Sequence, residues 1–211
     1  MGYTLYYFEL RAVVEPIRQL FKLAGKDFED KRFTFPEWLG ENSPKKTMPF
    51  GQLPVLELAD GTKLAQSQAI ARYLSKEFGG ILWGSNNVEA AEIDALIDQY
   101  KEYYNEIRKF YYTNMGVMQG DLEELYKDVF LPAADKFYGF IEKKLDASKS
   151  GFLVGSELSY ADLLVADHLV TLQNIKPEYL KDHPKLTAYK EKVYSNEILK
   201  KWLAERPETA M

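Results

Sequence analysis

The segment PFGQLPVLEL, residues 49–58, places a proline directly before a run that is strand-like in composition. Pro54 cannot donate a hydrogen bond to a strand ladder, so a proline at this point indicates that the local backbone requires it. A cis Leu53–Pro54 bond would meet that requirement and would present the N–H and C=O groups of Leu53 to a bound peptide. Gln66 and Ser67 then begin a predicted helix, and helix N-termini attract carboxylates. The segment therefore predicts a site for a small, acidic, extended peptide.

Hydrophobic periodicity divides the chain into a mixed α/β part and a part that is wholly helical. The first part has the order βαβ and then ββα, with elements at residues 3–8, 14–24, 28–33, 55–58, 63–64 and 69–78. A polar loop that contains Trp38 separates the two halves of this part. Two glycines close it, and the segment that follows, up to Asn87, is predicted to be a linker.

The part after Asn87 has a helical pattern throughout. Its first helix is long and carries a stripe of aromatic residues between Tyr100 and Tyr112, which we interpret as core together with an exposed dimer surface. The other predicted helices lie at residues 121–145, with a kink or break near Pro132, at 160–172 behind a capping box that starts at Ser159, and after Pro177 and Pro184.

Composition excludes several classes of function. The chain has no cysteine and two histidines among 211 residues, which argues against disulfides, protein-thiol redox chemistry and a typical metal site. A net charge of -5 argues against nucleic acid as the main partner. No apolar run approaches the roughly 20 residues that a membrane span needs, and the N-terminus lacks a leader pattern. We therefore expect a cytoplasmic protein that binds neither a metal, a membrane nor nucleic acid.

Several motifs together resemble sigma-class glutathione transferases, and the nematode members in particular. They are the strand YTLYYF, the loop with Trp38, the blocks PFGQLPVLEL and AQSQAIARYL, the cap SYAD and the closing KKWLAERPET. The resemblance covers essentially the whole chain. It implies an α/β + all-α fold: a thioredoxin-like glutathione-binding domain with a mixed sheet over residues 1–79, a linker over 80–88, and an all-helical domain over 89–211. It also implies a homodimer.

The resemblance implies the site residues as well, position by position. Tyr7 stands where the family has its catalytic tyrosine. The residues implied to bind glutathione are Tyr7, Trp38, Lys45, Gln52, Leu53, Gln66, Ser67 and, across the dimer, Glu102. The residues implied to line the hydrophobic substrate pocket are Phe8, Tyr104, Arg108, Leu164 and His168. Many sigma-class members have an arginine near the first strand that assists the thiolate, whereas this chain has Val13 there.

The energy of one hydrogen bond is nearly sufficient for the implied chemistry. A thiol with a reference pKa of about 8.5 is only ~3% ionised at pH 7, and lowering that pKa by two units takes about 2.7 kcal/mol. A hydrogen bond to a charged acceptor supplies about 1.5–3 kcal/mol. Tyr7 would act as the donor, since a phenol with a reference pKa near 10 stays protonated. Full ionisation accelerates the reaction at most ~30-fold, so the remainder must come from positioning the second substrate.

Three functions from different classes are consistent with these residues. The leading hypothesis is conjugation of glutathione to hydrophobic electrophiles in detoxification. The second is glutathione-dependent isomerisation of a prostaglandin-type endoperoxide. The third is a non-catalytic carrier of haem or other hydrophobic ligands. The presence of Tyr7, Lys45, Gln66 and Ser67 argues against a purely structural role.

Overall fold

The computed structural model describes residues 2–209 and residue 211. The chain forms two compact units: unit 1 consists of Met1–Trp83 together with Leu158–Met211, and unit 2 consists of Gly84–Glu157. The domain boundaries given by the resemblance stay a prediction. Within the described part of the chain, no helix is both long enough and apolar enough to cross a membrane.

Unit 1 contains a four-stranded sheet of β1 (Tyr3–Phe8), β2 (Phe28–Phe33), β3 (Val55–Glu57) and β4 (Lys63–Ala65). The strands lie in the order β2-β1-β3-β4. β1 is parallel to β2, whereas β1 with β3 and β3 with β4 are antiparallel. This mixed sheet confirms the predicted thioredoxin-like domain, which a helical domain follows in the chain.

The helix α1 (Glu15–Leu23) connects the two parallel strands. It buries Ile17, Leu20 and Phe21 completely, which is the spacing expected for one face of a helix. The helix ends before Gly25, whose φ of +62° is a left-handed conformation that favours glycine. These features agree with the predicted helix.

The segment between β2 and β3 contains two helical elements where the sequence analysis predicts a polar loop. They are α2 (Phe35–Leu39) and a 3₁₀ helix (Pro44–Thr47). The loop prediction is wrong because a capping box, described below, and prolines in the first turns stabilise these short helices. The helix α3 (Ser67–Glu77) follows β4 and packs against α1 and the sheet.

Unit 2 consists of α4 (Asn87–Asn114), α5 (Leu122–Leu125), a π-helical segment (Tyr126–Phe130) and α6 (Leu131–Ala147). The π-helical segment lies directly before the turn that contains Pro132. A π-helical turn is a known way for a helix to accommodate an irregularity, so it accounts for the kink predicted at this proline.

The aromatic stripe of α4 forms the core of unit 2. Tyr100, Tyr103, Phe110 and Tyr111 are each at most 5% exposed, and the rings of Tyr103 and Phe137 stack with their centroids 4.6 Å apart. The prediction that the stripe forms core is therefore confirmed, because α6 and the π-helical segment pack on it within the same unit, whereas its role as a dimer surface stays a prediction.

Four helices return to unit 1: α7 (Tyr160–Ile175), α8 (Pro177–Lys181), α9 (Pro184–Val193) and α10 (Glu197–Glu205). Both α7 and α10 pack against α1. The helix α10 is not among the predicted helices, although Asn196 caps it by accepting hydrogen bonds from two backbone N–H groups.

The predicted capping box of α7 is confirmed. The Asp162 carboxylate accepts hydrogen bonds from the N–H of Ser159 at 2.8 Å and from its hydroxyl at 2.7 Å. The other carboxylate oxygen of Asp162 accepts a 2.7 Å hydrogen bond from the hydroxyl of Tyr189 on α9. This fully buried carboxylate therefore joins α7 to α9 as well as closing the first turn of α7.

Candidate functional site

Tyr7 lies near the end of β1, beside Arg32 of the parallel strand β2. It is 8% exposed, and Leu5, which shares its face of the strand, is completely buried. The Tyr7 ring contacts the ring of Phe8 edge to face, with centroids 5.5 Å apart. The strand thus holds the phenol at the end of the sheet with little freedom to move.

A row of paired residues places three predicted site segments at one end of the sheet. Tyr6 of β1 pairs with Val55 of β3, and Val55 pairs with Ala65 of β4. β3 is antiparallel to both neighbours, so the chain positions next to this row lie at the same end of the sheet. Those positions are Tyr7, Pro54 and Gln66.

The Leu53–Pro54 bond is cis, as predicted. Leu53 is half-buried and packs on an apolar cluster formed by Trp38, Met48 and Val55. Phe8 of β1 packs on the same cluster, and its ring lies 5.7 Å from that of Trp38. The structure therefore brings together three of the predicted site residues, Phe8, Trp38 and Leu53.

Local hydrogen bonds fix the segment that contains Trp38 and Lys45. The Thr34 hydroxyl accepts from the N–H of Glu37, whose carboxylate accepts in turn from the N–H of Thr34 at 2.7 Å. That second bond lowers the pKa of Glu37. The Ser43 hydroxyl donates to the carbonyl of Trp38 and accepts from the N–H of Lys45. Trp38 is thereby buried while Lys45 lies exposed a short distance along the chain.

Gly51 allows the Lys45 side chain to lie over the backbone that leads to Gln52. A Cβ atom at Gly51 would be 3.6 Å from both Cγ and Cε of Lys45, and the φ of Gly51 is +59°. A side chain at position 51 would therefore be strained by the positive φ, although its contact with the lysine would be an ordinary van der Waals contact. Lys45 and Gln52 both face solvent here, which a ligand-binding role requires.

Gln66 has an unusual backbone conformation between β4 and α3. Its φ is +74° and its ψ is +114°, and its side chain makes no capping hydrogen bond to α3. Such a conformation costs on the order of 1–3 kcal/mol in a residue with a side chain, and it occurs preferentially at ligand-binding sites. The first turn of α3, in which every residue is described, contains no acidic side chain. The N-terminus of α3 is therefore electrostatically suited to a carboxylate from a ligand.

Two residues of the predicted hydrophobic pocket are buried in α7. Leu164 is 2% exposed and His168 is 4% exposed. Burial, together with the nearby Arg11 guanidinium, lowers the pKa of His168 to about 3. His168 is therefore a neutral core imidazole at physiological pH, and its predicted contact with substrate stays a prediction.

Three further predicted residues lie on α4 in unit 2. Burial raises the pKa of Tyr104 to about 12, and its ring stacks on that of Tyr111. Arg108 is exposed and lies 5.9 Å from the centre of the Tyr112 ring. Glu102 is exposed and accepts a 2.9 Å hydrogen bond from Gln99. The roles predicted for Tyr104, Arg108 and Glu102 stay predictions.

A network of buried ion pairs behind β1 escaped the sequence analysis. Arg11 donates from Nη1 to Asp167 at 2.9 Å and from Nη2 to Thr171 at 3.1 Å. Arg206 donates from Nη1 to Glu15 at 2.8 Å and to Asp167 at 3.2 Å. The sequence did contain a signal for this network: two aspartates and a histidine stand inside the otherwise apolar run ADLLVADHLV, and a buried charge requires a partner. Among the described residues, no group of three or more acidic or histidine side chains is placed to hold a metal ion.

Two family models match the chain. The model for the glutathione S-transferase N-terminal domain matches residues 1–76, and the model for the glutathione S-transferase C-terminal domain matches residues 101–206. A curated relative from Caenorhabditis elegans, "Probable glutathione S-transferase 8", is 46% identical over 207 residues, which are 98% of each chain.

Solved structures agree with these matches. Monomeric Na-GST-3, a glutathione S-transferase from the hookworm Necator americanus, is 48% identical, has a TM-score of 0.91 and covers 100% of both chains. A Nu-class GST from Haemonchus contortus is 45% identical with a TM-score of 0.87, and the alignment covers 99% of this chain and 98% of that one.

Proposed function

Since this chain belongs to the glutathione S-transferase family and is a glutathione transferase, we propose that Tyr7 stabilises the glutathione thiolate for attack on hydrophobic electrophiles. The main support for this proposal is the row of paired residues across β1, β3 and β4. At this row, Tyr7, the cis Leu53–Pro54 bond and Gln66 lie at one end of the sheet. All three belong to unit 1. A tripeptide at this end of the sheet would reach the phenol and the N-terminus of α3 together.

We propose that glutathione lies extended along this end of the sheet. The γ-glutamyl carboxylate would accept hydrogen bonds at the N-terminus of α3, from Ser67 and the Gln66 side chain. The backbone of Leu53 would pair with the cysteinyl unit. Lys45 and the indole of Trp38 would hold the glycine carboxylate. The remaining predicted ligands are Gln52 and, from a second subunit, Glu102.

In the proposed reaction, the Tyr7 hydroxyl donates a hydrogen bond to the thiolate sulfur. The sulfur then forms a bond to the electrophilic carbon, and the leaving group departs with its electron pair. The donor supplies about 1.5–3 kcal/mol, which lowers the thiol pKa by roughly one to two units. Because the residue at position 13 is a valine, no arginine side chain at that position adds to this effect.

The test is conjugation of glutathione to a chloronitroaromatic acceptor at pH 7. Tyr7→Phe should lower kcat/KM by roughly 10- to 30-fold while binding to immobilised glutathione is retained, because only the ionisation of the thiol is lost. Tyr6→Phe is the matched control: it removes a hydroxyl from the opposite face of the same strand, where that hydroxyl donates to Glu57. A Tyr7→Phe variant with full activity would contradict the mechanism.

The same preparation separates the two other candidate functions. Binding of glutathione without turnover of the acceptor by the wild type would favour either glutathione-dependent isomerisation of a prostaglandin-type endoperoxide or carriage of haem and other hydrophobic ligands. Isomerase activity would require glutathione and Tyr7, whereas carriage would require neither.

We also propose a sigma-class assignment, a cytoplasmic location and a homodimer, all from the sequence resemblance. One solved relative is described as a Nu-class enzyme and another as monomeric, so class and assembly need their own measurements. Light scattering at micromolar concentration decides the assembly. A mass near 24.4 kDa would contradict the homodimer.

A further inference from the structure

A polar groove of about 510 Å³ opens on unit 1 beside the buried ion-pair network. Arg11 and Arg206 line it together with the apolar side chains of Val170 and Leu203. None of the residues proposed to hold glutathione, and none of those predicted to line the hydrophobic pocket, is among the described residues that line this groove. The groove is therefore a separate feature of the fold.

Arg206 lines this groove, and only one of its three guanidinium nitrogens makes hydrogen bonds to described residues. Both of its hydrogen bonds to described residues come from Nη1, which binds Glu15 and Asp167. Nε and Nη2 donate to no described residue. Neither nitrogen is buried without a partner, so both are accessible to solvent. The side chain as a whole is only 9% exposed. A nearly buried arginine therefore presents a pair of parallel N–H donors.

The Nε and Nη2 hydrogens of a guanidinium point in the same direction and match the two oxygens of a carboxylate. The ion pairs on Nη1 hold this fork in a fixed orientation, so little side-chain entropy is lost when a ligand binds. Thr209 also lines the groove, but its hydroxyl is buried, so the polar contact to a ligand comes from Arg206.

The charges around the groove nearly balance. The connected network contains four arginines, Arg11, Arg18, Arg32 and Arg206, and three carboxylates, Glu15, Asp30 and Asp167. It therefore carries one positive charge in excess. The exposed Glu208 at the groove cancels this excess, so the attraction for a carboxylate comes from the free N–H donors of Arg206, and a ligand with two negative charges is disfavoured. The apolar lining by Val170, Leu203 and Pro207 suits a ligand with a short hydrophobic body.

We propose that this groove binds monocarboxylates with a small apolar group, in a bidentate contact with Nε and Nη2 of Arg206. Benzoate has the required shape and charge and serves as the probe. Titration calorimetry of the full-length protein should give one saturable site per chain. Benzyl alcohol, which lacks the charge, and inorganic phosphate, which carries more of it, should each bind at least about tenfold more weakly.

Two variants test the site independently. Arg206→Lys keeps the positive charge but loses the planar fork, and it should weaken benzoate binding by about ten- to a hundredfold. Val170→Trp fills the groove while Arg206 keeps its ion pairs, so it decides the question if Arg206→Lys fails to fold. Lys201→Gln is the matched control, because it removes an exposed cation from α10 outside the groove and should change affinity less than twofold.

The titration is repeated with saturating S-methylglutathione. Unchanged benzoate affinity is expected and would support a separate groove, whereas competition would assign benzoate to the glutathione site and overturn the proposal. Equal binding of benzoate by the wild type and Val170→Trp, equal binding of benzyl alcohol and benzoate, or the absence of saturation would each overturn it as well. These results do not depend on conjugation activity, so the proposed function and this proposal can fail separately.

Discussion

The buried imidazole of His168 should make the free energy of unfolding depend on pH. In the unfolded chain the imidazole has its ordinary pKa of 6.5, whereas burial lowers it to about 3 in the folded protein. Between these values the unfolded chain binds a proton that the folded protein excludes. The stability contributed by His168 is therefore complete above pH 6.5 and is lost as the pH falls toward 3.

The magnitude follows from proton linkage. For these two pKa values, lowering the pH from 7 to 5 removes about 2 kcal/mol from the free energy of unfolding through this one group. The imidazole is 4% exposed, so little solvent screening reduces this amount. For a chain of this size, about 2 kcal/mol corresponds to a decrease in Tm of roughly 4–8 °C.

The assay is urea unfolding at pH 7 and pH 5, followed by far-UV circular dichroism and by tryptophan fluorescence. His168→Asn and His168→Gln replace the imidazole with amides that do not titrate, so the difference between the two pH values should shrink by about 2 kcal/mol. The variants are compared with their own values at pH 7, which removes the cost of altered packing. His183→Asn is the matched control, since it removes the other histidine from a partly exposed position. A wild type and a His168→Asn variant with the same difference would refute the reasoning.

Three further substitutions test the structure. Asp167→Ala should lower the free energy of unfolding, measured by calorimetry, by about 3–5 kcal/mol, since two buried arginines lose a partner. As a control, Asp182→Ala at an exposed position should change it by less than about 0.5 kcal/mol. Tyr189→Phe should cost about 1–3 kcal/mol in urea unfolding, because the buried Asp162 carboxylate loses the hydrogen bond from Tyr189. Gln66→Gly should raise the free energy of unfolding by about 1 kcal/mol, because glycine adopts the positive φ without strain. It should also weaken retention on immobilised glutathione, because the Gln66 side chain is lost. A lower free energy of unfolding would contradict the assigned strain.

The sequence predicts those parts of the fold whose signals are local. The bounds of β1 and β2 agree with those predicted from the strand-like residue patterns, because each strand is short and its pattern ends at a clear point in the sequence. The cap of α7 and the cis Leu53–Pro54 bond also follow from neighbouring residues. The helix α2 carried a comparable signal, a threonine three residues before Glu37, but its five residues are too short for hydrophobic periodicity to show.

The exposure of the aromatic stripe on α4 could not be predicted in the same way. A helical stripe shows which residues share a face, but the sequence does not show which element covers that face. In the structure, α6 covers it, and Phe137 stacks on Tyr103 from a position 34 residues along the chain. Packing between distant segments therefore decided whether the stripe is core or surface.

The loop after β1 shows why the segment after Leu158 belongs with the sheet. Ala12 has a φ of +37°, a conformation that is unfavourable for an alanine. Its neighbour Arg11 is held on both sides: the backbone N–H donates to the carbonyl of Met211 at 2.8 Å, and the guanidinium pairs with Asp167. Both partners lie more than 150 residues away along the chain, so no local pattern reveals them. A buried ion pair contributes little net stability, but it fixes the position of the residues that form it. Here the Arg11–Asp167 pair fixes the backbone four residues beyond Tyr7.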